Sequence, residues 1–364
     1  MISRTKVIDK NKIQNILLIQ LGDIGDLVLT LPTIQTLSKT FPKATLTVAV
    51  REKAATLLYD YPGVKLVMSV DRGKGGGRGL CHQFWLIRTL ISQNWDLVVE
   101  LRTGLRGAVL TLLSRALYRV GRFDGNNSIR NLIFTHIVKP AGEEYQHSID
   151  HNLNILAPLD PLPTDLIPRL SIPGRVEYSV LHKLETYGLT KKSFIVLHPF
   201  SIWHYKELSS LHYVRLIHYF SEIGCPLVIT GSKDEQKKVQ HLVQISEKKV
   251  VNMAGETSII EMAGILRQAM LVVSIDTSAI HLSAAVGTPT VSIFGPSSPV
   301  HWAPRGDKHL VITNTMACIP CKSKGCQNSE ESRCLLDLDP KVTISSIDNH
   351  IKKLHLMERH YRSE

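Results

Sequence analysis

Nowhere in this chain of 364 residues does an apolar run approach the roughly 20 residues needed to cross a bilayer, so no spanning helix is expected. The N-terminal MISRTKVIDKNKIQ is charged and lacks the apolar centre and small-residue cleavage site of a secretory signal, which points to the cytoplasm. The full G-x-G-x-x-G fingerprint and the G-x-x-x-x-G-K-[ST] phosphate loop are also missing, and no clear D-x-D pair is seen to hold a divalent cation. The first absence disfavours a nicotinamide-dependent dehydrogenase.

The length instead predicts two domains. Hydrophobic residues make up 43% of the chain and mean hydropathy is near zero, enough for two cores. Net charge is +11, of which +7 falls in residues 1–172. That excess favours anionic partners: nucleic acid, an anionic membrane surface or a phosphorylated glycolipid.

Strands alternating with helices organise both halves. Asn15–Gln20, NILLIQ, reads as a buried strand that ends in Leu21-Gly22-Asp23-Ile24-Gly25-Asp26, and a helix is expected from Leu27 to Thr40. Strands are expected at Leu46–Val50, Lys65–Val70 and Leu97–Leu101, a mobile loop at Asp71–Gly79, and a helix at Phe84–Ser92. Arg102, Arg106, Arg115, Arg119 and Arg122 lie among apolar residues; they could face an anionic acceptor or form the wet side of an amphipathic helix. His147–Leu156 reads as a closing helix. Ala157–Pro173 holds five prolines and no period, and marks the linker.

In the second half, strands are expected at Phe194–His198, Pro226–Thr230, Val250-Val251 and Leu271–Ile275, and helices at Leu211–Ile223, Lys233–Ser246 and Ser258–Gln268. The central stretch is SIDTSAIHLSAAVGTPTVSIFGPSSP, Ser274–Pro299. A strand there runs into Asp276, Thr277 and Ser278, residues that start helices, and a small-residue helix follows, closed by Gly287 and Pro289. A second strand spans Thr290–Phe294. Such a strand-to-helix junction is where free N–H groups and the helix dipole hold phosphate, although an ordinary βαβ turn has the same spacing.

The pattern Asp276-Thr277-Ser278, His281-Leu282, Ala284-Ala285, Gly287, Pro289 and Phe294-Gly295-Pro296 resembles the nucleotide-sugar segment of bacterial lipopolysaccharide heptosyltransferases, glycosyltransferase family nine. Ser278 stands where that family usually has Gly. Gly25-Asp26 followed by Thr30-Leu31-Pro32 matches a second family pattern, and the His147–Leu153 helix a third. The resemblance implies a GT-B fold, α/β with two Rossmann-like domains facing across a cleft. It implies an acceptor-binding domain at 1–157, a linker at 158–175, a nucleotide-sugar domain at 176–342 and a C-terminal helix at 343–364 that could cross back to the first domain. The activity implied is inverting, metal-independent transfer of a sugar, heptose from ADP-heptose, onto an anionic glycolipid core acceptor at the cytoplasmic face of the inner membrane. A different nucleotide sugar is the alternative.

Such transfer needs a base for the acceptor hydroxyl and cationic or dipolar groups for the departing diphosphate. Asp26 is the expected base, with Asp23 as competitor and expected helix cap. Lys206 matches the family's lysine after the His198 strand, although Phe200 and Glu207-Leu208 depart from the pattern; Ser201 is the nearest hydroxyl. Asp276, Thr277, Ser278 and His281 complete the expected diphosphate side, His281 equally fitting a satisfied half-buried role. Asp234 or Glu235 would hold the ribose, Thr257 lies on the adenine-side loop, and Arg102 and Arg106 are expected on the acceptor.

Cys318, Cys321, Cys326 and Cys334 are spaced C-x2-C-x4-C-x7-C, which fits structural zinc, free thiols or a disulfide. Cys81 and Cys225 read as buried singles. No cofactor is expected for catalysis itself. A basic, zinc-containing nucleic-acid binder would explain the charge and the cysteines, but neither Gly25-Asp26 nor Asp276–Pro296. No nucleic-acid partner is expected.

Overall fold

The structure, a computed structural model, describes residues 2, 3, 7–70 and 77–356. The chain divides into two compact units, Met1–Leu170 and Ser171–Glu364, and the division falls within the proline-rich stretch.

The first unit is built on a seven-stranded sheet: β1 (Ile2–Ser3), β2 (Asn15–Gln20), β3 (Thr45–Arg51), β4 (Leu66–Val70), β5 (Leu97–Glu100), β6 (Tyr118–Arg122) and β7 (His136–Val138). Its order is β1-β7-β6-β5-β2-β3-β4, parallel except where β1 joins β7. The second unit holds β8 (Ile195–His198), β9 (Leu227–Ile229), β10 (Val251–Asn252), β11 (Leu271–Ile275), β12 (Thr290–Phe294) and β13 (His309–Thr313). These six run parallel in the order β10-β9-β8-β11-β12-β13. Strands covered by helices on both faces must be apolar throughout, and β8, β11 and β12 are buried along their whole length.

Each sheet reverses its winding once. The first unit steps outward from β2 to β3 and β4, then returns to place β5 on the other side of β2. The second repeats this, with β11 returning beside β8. At such a point the loops after the two central strands diverge and leave a crevice at the carboxyl edge of the sheet, where open α/β folds bind ligands.

Several expectations need correction. The helix after β2 begins at Ile24, not Leu27, with Asp23 at its N-cap. It stops after Val28 and resumes at Leu31–Thr40, because Pro32 has no N–H to continue the ladder and the Thr30 hydroxyl turns back onto the Asp26 carbonyl (2.7 Å). Of the expected loop Asp71–Gly79, residues 71–76 lie outside the described residues, and Gly77–Gly79 open the helix Gly77–Ser92. The span carrying the five arginines is not one helix: it contains the helix Leu105–Leu113 and the strand β6. Arg119 donates to the carbonyls of Ile133 and Ala116 (both 2.7 Å), and Arg122 pairs with Glu143 (3.0 Å). Those two guanidiniums serve the fold. A helix at Gly174–Thr186 follows Pro173 directly, and β7 and β13 were not anticipated.

The C-terminal helix occupies Pro340–Lys353, capped by Asp339, which accepts from the Lys341 N–H (2.8 Å). Ile347 and Ile351 enter the second unit's core. Residues 357–364, the end of the expected crossing helix, lie outside the described residues.

Candidate functional site

Asp26 sits in the first turn of the helix that follows β2, at the carboxyl edge of the first sheet. Its side chain is 18% exposed. Oδ2 accepts the backbone N–H of Asp23 (2.8 Å), and Oδ1 meets Nη1 of Arg102 (2.8 Å). Arg102 follows β5, so this ion pair spans the reversal between β2 and β5. Gly22 permits it: a Cβ there would stand 2.5 Å from Asp26 Oδ2. Asp23 is the helix cap, is more exposed and pairs with Arg51. Arg106, the other expected acceptor residue, is half-buried on the helix Leu105–Leu113.

A buried polar scaffold fixes this turn. Gln20, 2% exposed, donates from Nε2 to Thr30 Oγ1 (2.8 Å) and accepts the Gly22 N–H (3.0 Å). Asn152, on the helix Ser148–Asn154, donates to the same Thr30 oxygen (3.2 Å). Buried polar groups cost stability unless bonded, and here each has a partner.

Sequence reasoning missed the pair behind Arg102. Glu100 and Arg130 are 2% and 1% exposed and form an ion pair. Arg130 also donates to the carbonyls of Arg102 (2.6 Å) and Arg122 (2.8 Å), and Glu100 Oε1 accepts the Arg102 N–H (3.1 Å). Burial pushes the Glu100 carboxyl up to about 7 against the opposing pull of Arg130. Gly107 clears the space, since a Cβ would stand 2.5 Å from Glu100 Oε1. The pair clamps the backbone from which the Arg102 guanidinium reaches Asp26. No sequence pattern joins positions 30 residues apart, so only the fold reveals them.

The second unit repeats the arrangement with the charges exchanged. Lys206, in the short turn His204–Lys206 after β8, places Nζ 2.5 Å from Asp276 Oδ2 at the end of β11, and the pair spans the reversal between β8 and β11. Thr277 caps the helix Ser278–Ala285, its hydroxyl accepting the Ala279 N–H (3.3 Å). Ser274 Oγ bonds the His198 carbonyl (2.8 Å) and lies 3.0 Å from Thr277 Oγ1, tying the two strand ends together. A cation beside a helix N-terminus is the chemistry that holds a diphosphate.

Around it, the Ser201 hydroxyl accepts the Trp203 N–H (3.1 Å). Ser278 and Thr257 are half-buried. His281 is 5% exposed, more buried than expected. Glu235 turns inward, accepting the Ser232 N–H (2.7 Å), while Asp234 is exposed on the same loop. His198 is held below the ordinary histidine range by burial, which outweighs the nearby Glu235 carboxylate, and its Nδ1 lies 3.0 Å from Thr230 Oγ1.

Comparison with known proteins decides the family. A profile of glycosyltransferase family 9 (heptosyltransferase) matches residues 84–331, well over half of the chain. The chain belongs to glycosyltransferase family 9. It is 26% identical over 286 residues to lipopolysaccharide heptosyltransferase 3 of Escherichia coli K12, covering 77% of this chain and 82% of that one. The crystal structure of a family 9 glycosyl transferase from Veillonella parvula superimposes with a TM-score of 0.78 at 19% identity, covering 93% of this chain and 97% of that one. That of E. coli ADP-heptose lps heptosyltransferase II gives 0.76 at 18% identity, with 94% and 100% covered. The fold is therefore GT-B, and the protein is a glycosyltransferase.

In this family 9 chain the cysteine segment adjoins the loops that follow β8 and β12. The Lys322 N–H donates to the Pro296 carbonyl (2.7 Å), Lys324 Nζ lies 5.7 Å from the Trp203 ring centroid, and Leu335 packs where a Cβ on Gly295 would stand. Cys318, Cys321 and Cys326 are exposed thiols and Cys334 is a buried one. Burial pushes the Cys334 thiol up to about 11, and the neighbouring Cys321, Cys326 and Cys318 add to the shift. As placed, the described residues hold no group of three or more His, Cys, Asp or Glu side chains able to grip a metal. Cys225 is buried, its thiol raised to about 12 by burial; the Cys81 side chain lies outside the described residues. One Asp-x-Asp spacing does occur, Asp337-Leu338-Asp339, but Asp337 pairs with Arg333 (3.1 Å) and Asp339 caps the last helix.

Removing one member of a buried ion pair leaves an uncompensated charge and costs about 3–5 kcal/mol. Arg130→Met should lose that much in urea unfolding, and the double variant Glu100→Gln/Arg130→Met should recover part of it. A single-variant loss below about 1 kcal/mol would show that the pair does not carry the local structure.

Proposed function

We propose that this family 9 enzyme is an inverting, metal-independent heptosyltransferase that uses ADP-heptose and extends a lipopolysaccharide core acceptor. The observation that carries the reading is the ion pair at the reversal of each sheet, an acid presented by the first unit and a lysine beside a helix N-terminus by the second. The names of the relatives, lipopolysaccharide heptosyltransferase 3 and ADP-heptose lps heptosyltransferase II, support the donor and acceptor classes.

Asp26 takes the acceptor hydroxyl proton as that oxygen bonds to the anomeric carbon. The bond from that carbon to the diphosphate oxygen breaks on the opposite face, and the electron pair leaves with ADP. Arg102 and Arg106 hold anionic groups of the acceptor, Arg102 also orienting Asp26. Lys206, Ser201, Thr277, Ser278 and the helix N-terminus bind the diphosphate, where negative charge develops. Asp276 positions Lys206, and His281 supports the same helix. Asp234 accepts the ribose hydroxyls, with Glu235 shaping its loop, and Thr257 borders the adenine. The enzyme works in the cytoplasm as a peripheral protein of the inner membrane; among the described residues no helix is long and apolar enough to cross one.

Incubation with ADP-heptose and a deacylated core acceptor, read by mass spectrometry, tests the whole assignment. A product heavier by one heptose is expected; turnover of another nucleotide sugar with none of ADP-heptose would overturn the donor. Asp26→Asn should leave ADP affinity nearly intact and lower turnover by about two to four decades. Normal turnover would move the role to Asp23.

Lys206→Ala should weaken ADP binding by about ten-fold or more, because charge-assisted bonds to phosphate are the strong ones, while leaving adenosine binding unchanged. Equal loss for both ligands in calorimetry would mean a damaged fold.

We also propose a structural zinc held by Cys318, Cys321, Cys326 and Cys334. The four cysteines share one neighbourhood: burial raises the Cys334 thiol, Cys321, Cys326 and Cys318 add to that rise, and the Arg333 N–H donates to Cys326 Sγ (3.4 Å). Elemental analysis of protein purified without chelator should give about one zinc per chain. Four titratable thiols and no metal would exclude it.

A further inference from the structure

We infer that the outer face of two neighbouring helices of the first unit, Gly77–Ser92 and Leu105–Leu113, docks on an anionic bilayer surface. The two helices are in contact and cover the same face of the first sheet. Leu86 and Leu90 from one, and Leu110 from the other, enter one core cluster with Leu17, Ile19 and Val98.

Opposite those residues, where a globular surface is normally polar, apolar side chains recur at helical spacing. Phe84, Ile87 and Ile91 are 68%, 41% and 43% exposed on the first helix, and Leu105, Val109 and Leu112 are 63%, 42% and 54% exposed on the second. A single exposed apolar residue needs no explanation, but two adjacent stripes form a patch of the kind that marks an interaction surface.

Charge selects the occupant. Residues 84–92 and 101–117 contain four Arg and neither Asp nor Glu, and of the four Arg102 is engaged by Asp26. Arg88 and Arg115 are exposed within these stretches. Large apolar side chains with cations of one sign suit the boundary between acyl chains and anionic headgroups. A second copy of the same surface would instead bring like charges together.

The inference deepens the proposed function, since a lipid-anchored acceptor must be met at a membrane. The helix Leu105–Leu113 begins three residues after Arg102, so this face reaches the sheet edge that carries Asp26.

Flotation of the full-length protein with vesicles free of glycolipid tests the surface alone. Vesicles of phosphatidylcholine are compared with vesicles containing about one-third phosphatidylglycerol. The wild type should float with the anionic vesicles and be released by high salt. Phe84→Gln/Ile91→Gln and Val109→Gln/Leu112→Gln should each reduce binding about ten-fold or more, with ADP affinity and melting temperature unchanged. Flotation of both variants like the wild type, or no flotation of the wild type, overturns the inference. So does a wild-type dimer that the variants dissociate, without vesicle binding, because the occupant is then a second copy. Transfer to the deacylated acceptor is measured in parallel without vesicles. Its failure with flotation intact removes the proposed function and leaves the docking surface standing.

Discussion

A buried or half-buried charge needs an opposite charge beside it, and in both units that requirement is met across the reversal of strand order. Asp26 and Arg102 descend from β2 and β5, Lys206 and Asp276 from β8 and β11. The adjacent parallel strands set the separation of their own loops, so each pair is held by the sheet and not by the side chains alone. The crevice at a reversal is also the place where loops diverge enough to admit a ligand. The same feature therefore supplies the space and the charge.

Holding such groups at a sheet edge requires support from below. In the first unit, Gln20, Thr30 and Asn152 form a closed set of hydrogen bonds under the Asp26 turn, and the Glu100–Arg130 pair clamps the Arg102 backbone. In the second, Ser274 ties β11 to the His198 carbonyl while the His198 ring bonds Thr230. Thr30 and Asn152 belong to recognisable patterns while Gln20, Glu100 and Arg130 bear none, and together they restrict the orientations open to Asp26 and Arg102. Preorganised charge of this kind favours a transition state because little reorganisation is left to do at the moment of reaction.

How much could be read from residues alone depended on the range of the interaction. NILLIQ and TVSIF are buried on both faces, so their apolar runs matched β2 and β12 to the residue. The strand β6 escaped notice because Arg119 and Arg122 interrupt its apolar pattern, and two of their partners, the Ile133 carbonyl and Glu143, lie more than ten residues away along the chain. The cysteine spacing was legible, but its position against Pro296 and Trp203 was not. The exposed stripes on Gly77–Ser92 and Leu105–Leu113 likewise look like ordinary core positions until the sheet shows which side of each helix it covers.

By itself the sequence determined the α/β class, the strand β2 and the helix start at Thr277, because backbone propensity, capping and continuous apolar runs act between near neighbours. It also marked Asp23 as the cap and Asp26 as the candidate base. Only the tertiary structure decided which charges meet. The partners of Asp26, Lys206 and Glu100 lie 76, 70 and 30 positions away, and the cost of leaving a buried charge unpaired is settled by distances that exist only once the strands have taken their order.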